Sequence, residues 1–258
     1  MSTITGLQAV REALRASPER VRKVVLSEGR LDARAREILA LARDRGVPVY
    51  RENPKVLERL APQGRHQGVI AELAAVRWWD LEELLASAPE PALLLAIDHL
   101  EDPRNLGAVA RAADGAGVSG ILVPKRGVAP PSAAAIAASA GALLHSRLAR
   151  VTNLAASLER VKQRGIWAVG LAPGGSLPWY RFDYTVPLIL VVGSEGKGLR
   201  PLVSRTCDAL VSLPQLGHVG SLNVSVAAGV VLYEVLRQRA RARDGGAGDD
   251  LEMTSKRR

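Results

Sequence analysis

Residues 92–117 read ALLLAIDHLEDPRNLGAVARAADGAG. The opening apolar run, ALLLAID, is the pattern of a strand buried on both faces, and the residues after it read as a turn running into a helix. At about 100° per residue, Leu106, Val109, Ala110 and Ala113 fall on one side of that helix and should face a core. Arg104 and Arg111, seven apart, point the opposite way with only Gly107 and Ala108 between them. Two guanidinium groups on a face otherwise without bulk are an unusual decoration for a helix.

The same kind of strand recurs downstream as GILVP (120–124), IWAVGLA (166–172), PLILVVG (187–193) and ALVSLP (209–214). Continuous apolar runs separated by helical stretches predict an α/β fold with a largely parallel sheet. The helical connections are SAAAIAASAGALL (132–144) and NLAASLERVKQRG (153–165). The last element, NVSVAAGVVLYEVLRQRARAR (223–243), is apolar almost all round at its start, so that half should be buried. Beyond Arg243 periodicity ends, which predicts a disordered tail, with the domain itself bounded at 240.

Ahead of residue 92 lies a smaller unit, residues 1–75. VRKVVLSEG (21–29), VPVYR (47–51) and HQGVIAEL (66–73) read as strands, with helices at LDARAREILALARDRG (31–46) and PKVLERLAP (54–62). Between the two units, residues 76–91 change composition: adjacent tryptophans, then acids, then two prolines in three residues. This segment reads as a linker containing a short helix.

The 258 residues carry 35 Lys and Arg against 26 Asp and Glu, a net charge of +9. Residues 1–75 hold 14 basic and 9 acidic side chains, and residues 92–240 hold 15 and 9, so the excess sits in the two folded units rather than in a tail. Such a balance points to a polyanionic partner. A single cysteine, Cys207, excludes an intramolecular disulfide framework, and the four histidines show no metal-ligand spacing. No apolar run reaches the ~18 residues of a membrane span, and MSTITGLQAV lacks the pattern of a signal peptide. A cytoplasmic, metal-free protein with no membrane association is expected.

VVGSEGKGLRP (191–201) follows a strand, where phosphate and dinucleotide loops occur. A P-loop would need glycine at 191 and Ser or Thr at 198, where Val191 and Gly198 stand, and the glycines at 193, 196 and 198 are in the wrong order for a dinucleotide fingerprint. Three glycines in six residues still let the backbone approach something flat or charged, with Glu195 in their midst. PQLGHVGSLNVSVAAG (214–229) is the next loop-to-helix junction. Ser221 and Asn223 there are either caps of the final helix or ligand-binding groups. Loops at the carboxyl ends of parallel strands bind ligands, and three are expected here, at 102–107, 193–198 and 214–223.

NLGAVAR (105–111), VVGSEGKGL (191–199) and LPQLGHVGSLNVSVAAGVVLYE (213–234), in order and at strand ends, closely resemble the three motifs of the SpoU/TrmH family of RNA ribose 2'-O-methyltransferases. RHQGVIAEL (65–73) closes a unit similar to the small L30e-like substrate-binding domain of the branch that methylates a guanosine of 23S ribosomal RNA. The resemblance implies a SPOUT catalytic domain over 92–240, its end threaded into a deep trefoil knot, and S-adenosyl-L-methionine held bent between the second and third motif loops. It implies cofactor contacts at Gly193, Leu213 and Leu222, and a catalytic set of Arg111, Asn105, Glu195, Ser221 and Asn223. Arg111 would serve as base or, since a guanidinium titrates above about 12, as a clamp on the phosphate beside the target ribose. Arg104 and Arg111 then face outward because an RNA backbone lies against them. The family works as a homodimer in which the arginine of one subunit reaches the cofactor of the other. A non-catalytic RNA-binding protein of the same fold, a small-molecule α/β enzyme, or a methyltransferase acting on tRNA or an rRNA adenosine are the rival readings.

Overall fold

The computed structural model describes residues 2–30, 32–61, 66–74, 76–194, 196, 198–218 and 220–244. The N-terminal unit runs β1 (Ser2–Thr5), α1 (Leu7–Ala16), β2 (Val21–Ser27), α2 (Ala33–Asp44), β3 (Val49–Glu52), α3 (Pro54–Leu60) and β4 (Val69–Leu73). Its sheet has the order β1-β4-β2-β3, with β2 and β3 parallel and β4 antiparallel to both its neighbours. Local chemistry explains the helix starts. Asp32 caps α2 by accepting from the Ala35 amide at 2.7 Å, and Asn53 caps α3 ahead of Pro54. The first strand and helix are additions to the sequence reading: Ser2–Thr5 has no apolar run, and it becomes a strand by pairing with β4.

The larger unit continues with β5 (Trp78–Trp79), α4 (Leu81–Ala86), β6 (Leu93–Ile97), α5 (Pro103–Gly115), β7 (Gly120–Pro124), α6 (Ala133–Ala138), α7 (Ala142–His145), β8 (Leu148–Val151), α8 (Leu154–Lys162) and β9 (Trp167–Leu171). It ends with β10 (Leu177–Pro178), β11 (Leu188–Val192), α9 (Pro201–Thr206), β12 (Ala209–Ser212) and α10 (Val224–Arg243). Eight strands form one sheet in the order β10-β12-β9-β11-β6-β7-β8-β5, and every pairing is parallel.

The period of two along β6 divides the core. Leu93, Leu95 and Ile97 join Leu106, Val109 and Ala110 of α5 and Val231, Leu232 and Val235 of α10 on one face. Leu94 and Ala96 join Leu81 and Leu84 of α4, Leu158 and Val161 of α8 and Val203 of α9 on the other. Burial on both faces is what makes these strands read as uninterrupted apolar runs.

Three expectations change. Residues 76–91 are not a free linker, because β5 pairs with β8 at the edge of the large sheet and Leu81, Leu84 and Leu85 are buried in the second core. The helical stretch 132–144 is broken by Ala140 (φ 50°) and Gly141 (φ 90°) into α6 and α7. Finally, the domain runs past its expected bound at 240, because α10 extends to Arg243 as its sequence pattern does; residues 245–258 of the expected tail lie outside the described residues.

The apolar cluster of the first face also contains Ile4, Val10 and Leu14, so the N-terminal unit shares that core with the large sheet. Ser17 Oγ lies 2.6 Å from His145 Nε2, and Arg20 donates to the Leu144 carbonyl, fastening the unit to α7. No described helix is long and apolar enough to cross a membrane.

Candidate active site

Because all eight strands run the same way, the loops leaving their carboxyl ends converge at one edge of the sheet. A cleft lined by loops from three strand ends opens there. Among the described residues its walls are Leu171–Pro173 at the end of β9, Val192, Gly193, Ser194, Gly196 and Gly198 at and after the end of β11, and Leu213, Gln215, Gly220, Ser221 and Leu222 after β12, with Val224 and Ala227 of α10. Gly193, Leu213, Ser221 and Leu222 therefore come together as the sequence predicts. The wall after β9 is an addition, since LAP between a strand and a turn carries no signature of its own. In its place the sequence suggests the 102–107 loop, which lies beside the cleft rather than lining it.

The loop after β11 is tightly folded. Ser194 and Gly198 exchange backbone hydrogen bonds of 3.1 and 3.0 Å, with Gly196 and Gly198 at positive φ between and beside them. A Cβ at Gly193 would overlap the Gly198 carbonyl, so only glycine lets the strand end and its own returning loop meet. Glu195 lies outside the described residues.

This loop is tied down from below by residues the sequence reading missed. Asp98, fully buried at the end of β6, accepts from the Arg200 backbone N at 2.6 Å and from its Nε at 2.8 Å. Arg200 Nη2 completes the pair at 2.6 Å. A buried carboxylate satisfied by one arginine fork and one amide is a rigid joint between β6 and the loop that precedes α9. Nothing local marks Asp98 out; its partner lies 102 residues away.

Asn223 does two things at once. Its Oδ1 accepts from the Ser225 amide at 2.9 Å, capping α10, and its Nδ2 donates to Asn105 Oδ1 at 3.0 Å. One carboxamide thus caps α10 and joins the starts of α5 and α10 beside the cleft, whose lining includes neither asparagine. Asp102 caps α5 through the Arg104 amide at 2.8 Å.

Arg104 and Arg111 are exposed on α5, as the helical pattern predicts, and neither lines the cleft of its own chain. Gly107 is a correction. It is buried, and a Cβ there would strike Ala138 Cβ at 2.7 Å and the Ser139 N at 2.9 Å, so it is the crossing point of α5 and α6. The bare space beside the arginines is Ala108 alone.

Apolar side chains from Leu171, Val192, Leu213, Leu222 and Val224, set against glycine-rich backbone, suit a flat heteroaromatic ring whose edge bonds to main-chain groups. A Cβ at Gly220 would meet open space, so the room in this wall is not occupied by protein. S-adenosylmethionine, with an adenine at one end, fits such a donor set. Among the described residues no group of three His, Cys, Asp or Glu side chains is placed to hold a metal ion.

The chain matches known sequences and structures. The sequence model of the SpoU rRNA methylase family matches residues 92–233, and that of the RNA 2'-O ribose methyltransferase substrate-binding domain matches residues 3–79. The chain is 43% identical over 242 residues to the 23S rRNA (guanosine-2'-O-)-methyltransferase RlmB of Pseudomonas putida, covering 93% of this chain and 97% of the relative. It is 44% identical to RlmB of Pseudomonas aeruginosa, covering 92% and 96%. The crystal structure of the SpoU methyltransferase AviRb from Streptomyces viridochromogenes with AdoMet superposes with a TM-score of 0.73 at 27% identity, covering 92% and 90%.

Proposed function

The chain belongs to the SpoU rRNA methylase family, and from that premise we propose that it methylates the ribose 2'-hydroxyl of a guanosine in 23S rRNA. It is an S-adenosylmethionine-dependent RNA methyltransferase. When bound, the cofactor supplies a methyl group activated by its sulfonium, a chemistry that needs no metal. The observation that carries the reading is the cleft itself, where Gly193, Leu213, Ser221 and Leu222 meet at the carboxyl edge of the sheet.

Gly193, Leu213 and Leu222 hold the cofactor in this reading. The bridge from Asn223 to Asn105 sets the ribose beside it, with Ser221 and Glu195 completing the site. A nucleophile must lie in line and about 3 Å from the carbon it attacks. Arg111 supplies a planar fork for the phosphate next to that ribose. Its exposure away from its own cleft supports a homodimer in which it serves the partner's site. An apolar stripe on α10, Val226, Val230 and Tyr233, is exposed on one helix face and offers the contact. Threading of the chain end into a trefoil knot is supported by its path: β12 lies beyond β9, yet α10 returns to pack on α5 beside β6. Residues 1–75 act as the RNA-recognition unit, and the setting is the cytoplasm.

The test is direct. Purified protein is incubated with methyl-labelled S-adenosylmethionine and total RNA, both 23S rRNA and tRNA, from cells lacking it. Label recovered as one 2'-O-methylguanosine is the expected result; label confined to tRNA or to adenosine would displace this reading.

A further inference from the structure

The two tryptophans of β5 do not line the cleft, and they lie on a basic rim. Trp78 carries Arg150 of β8 over its ring at 4.8 Å, and Trp79 is flanked by Arg77 at 4.5 Å and Arg147 at 5.2 Å. Arg77 and Arg147 are already engaged, by Glu83 at 2.5 Å and by Ser87 Oγ at 3.1 Å, and serve to fix Trp79. Arg150 is exposed and makes no ion pair among the described residues; the same holds for Lys125 and Arg126, exposed at the end of β7.

Backbone hydrogen bonds make these positions neighbours along one edge. Lys125 N donates to the Val151 carbonyl at 2.9 Å, placing the end of β7 beside Arg150. Leu100 N donates to the Gly127 carbonyl at 2.8 Å, placing Arg126 beside the turn that starts α5. Two acids stand at that inner end, where Asp102 caps α5 and Glu101 lies 3.4 Å from His99 Nε2. From β6 to β5 are three inter-strand steps, about 14 Å, which matches roughly four nucleotides of a stacked strand at about 3.4 Å each.

We propose that this carboxyl rim, Lys125–Arg126–Arg150 with the ring of Trp78, is a second contact surface for RNA, holding the strand that leads away from the methylation site. A guanidinium stacked on indole keeps its in-plane N–H donors free for phosphate, and the ring orients it. The alternate role for such side chains is to blunt a sheet edge against unwanted pairing. An edge guard needs charge at the outer strand only, whereas Lys125 and Arg126 follow β7, an interior strand. The proposal rests on the RNA methyltransferase reading.

The test compares the wild-type chain with Lys125→Gln/Arg126→Gln/Arg150→Gln, using 23S rRNA from cells lacking the enzyme. The variant should bind at least 10-fold more weakly at low salt. The slope of log affinity against log salt should fall by about 2, with cofactor affinity and melting temperature unchanged. If the triple variant melts early, Lys125→Gln/Arg126→Gln, which leaves Trp78 stacked, is judged by the same slope, with a loss of about 1.5 expected. Methyl transfer by the wild type with unchanged affinity and slope in the variants overturns the rim alone. No methyl transfer to RNA by the wild type overturns the functional reading and the rim with it.

Discussion

Arg111 illustrates how one side chain is constrained from both ends of its helix. Leu106, Val109 and Ala110 bury the opposite face, and Gly107 fixes the helix against α6, so the guanidinium has one direction left, outward. Arg111→Ala should lower methyl transfer by on the order of 10²-fold or more, with melting temperature and cofactor affinity unchanged. Arg111→Lys should recover little, because an ammonium cannot grip phosphate with a planar fork. Near-normal turnover in the alanine variant would remove Arg111 from the chemistry. Asn223 and Asn105 separate two roles that share one carboxamide. Asn223→Ala loses the cap on α10, about 1 kcal/mol, and the bridge; Asn105→Ala loses the bridge and leaves the cap in place. Both should reduce turnover by a similar factor, while the first lowers the melting temperature more. Full activity in Asn105→Ala would leave Asn223 as a cap and nothing more.

At the scale of elements, α10 closes the fold, and its hold is polar as well as apolar. Arg239 donates to four carbonyls, those of Tyr184, Pro91, Ala92 and Val186, at 2.8 to 3.1 Å. Burial lowers its guanidinium from the ordinary value. One turn earlier Glu234, almost fully buried, takes both Arg237 and Gln238, and Gln238 in turn accepts from the Tyr184 amide. The hydrogen bonds from Arg237 hold the Glu234 carboxyl below the usual carboxylate range, against the opposing effect of burial. A folded value depressed below the unfolded one, about 4.3, adds stability above that pH and loses it as pH falls through the folded value. Glu234→Gln should therefore cost stability at pH 7 and flatten the acid limb of the melting curve below about pH 4.3. A variant whose acid limb matches the wild type would show that other carboxylates govern acid unfolding. The rest of α10 is legible from its apolar first half. The Glu234–Gln238–Tyr184 chain is not, because charged residues in RQRARAR read as a solvated face until the loop before β11 packs against them.

For the whole molecule, the boundary between the units decides what can be cut. Removing residues 1–75 takes away 14 basic and 9 acidic side chains. It also exposes the α6–α7 side of the shared core, so a chain starting at Val76 should melt lower than the full protein. It should still bind S-adenosylmethionine, but with weaker RNA affinity and a shallower salt dependence. A chain starting at Ala92 loses β5 and α4 as well, and with them Leu81, Leu84 and Leu85, each worth about 1.5–3 kcal/mol of burial. That chain should lose cofactor binding through unfolding. Equal stability of the two truncations would mean that residues 76–91 do behave as a linker.

A window of neighbouring residues encodes only local pattern. Continuous apolar runs marked β6, β7, β9, β11 and β12, the 3.6-residue period marked the buried side of α5, the apolar start of 223–243 marked α10, and glycine-rich stretches at strand ends marked two of the three walls of the cleft. Tertiary structure alone decided that WW joins a distant strand at the edge of the sheet, and that Gly107 is a helix crossing rather than open surface. It also decided that Leu171–Pro173 supplies the third wall and that Asp98 anchors Arg200. The physical reason is common to these cases. A strand of two residues, a contact-point glycine or a buried carboxylate is stabilised wholly by partners far along the chain, here 102 residues for Asp98 and about 70 between Trp78 and Leu148, so no local propensity carries the signal.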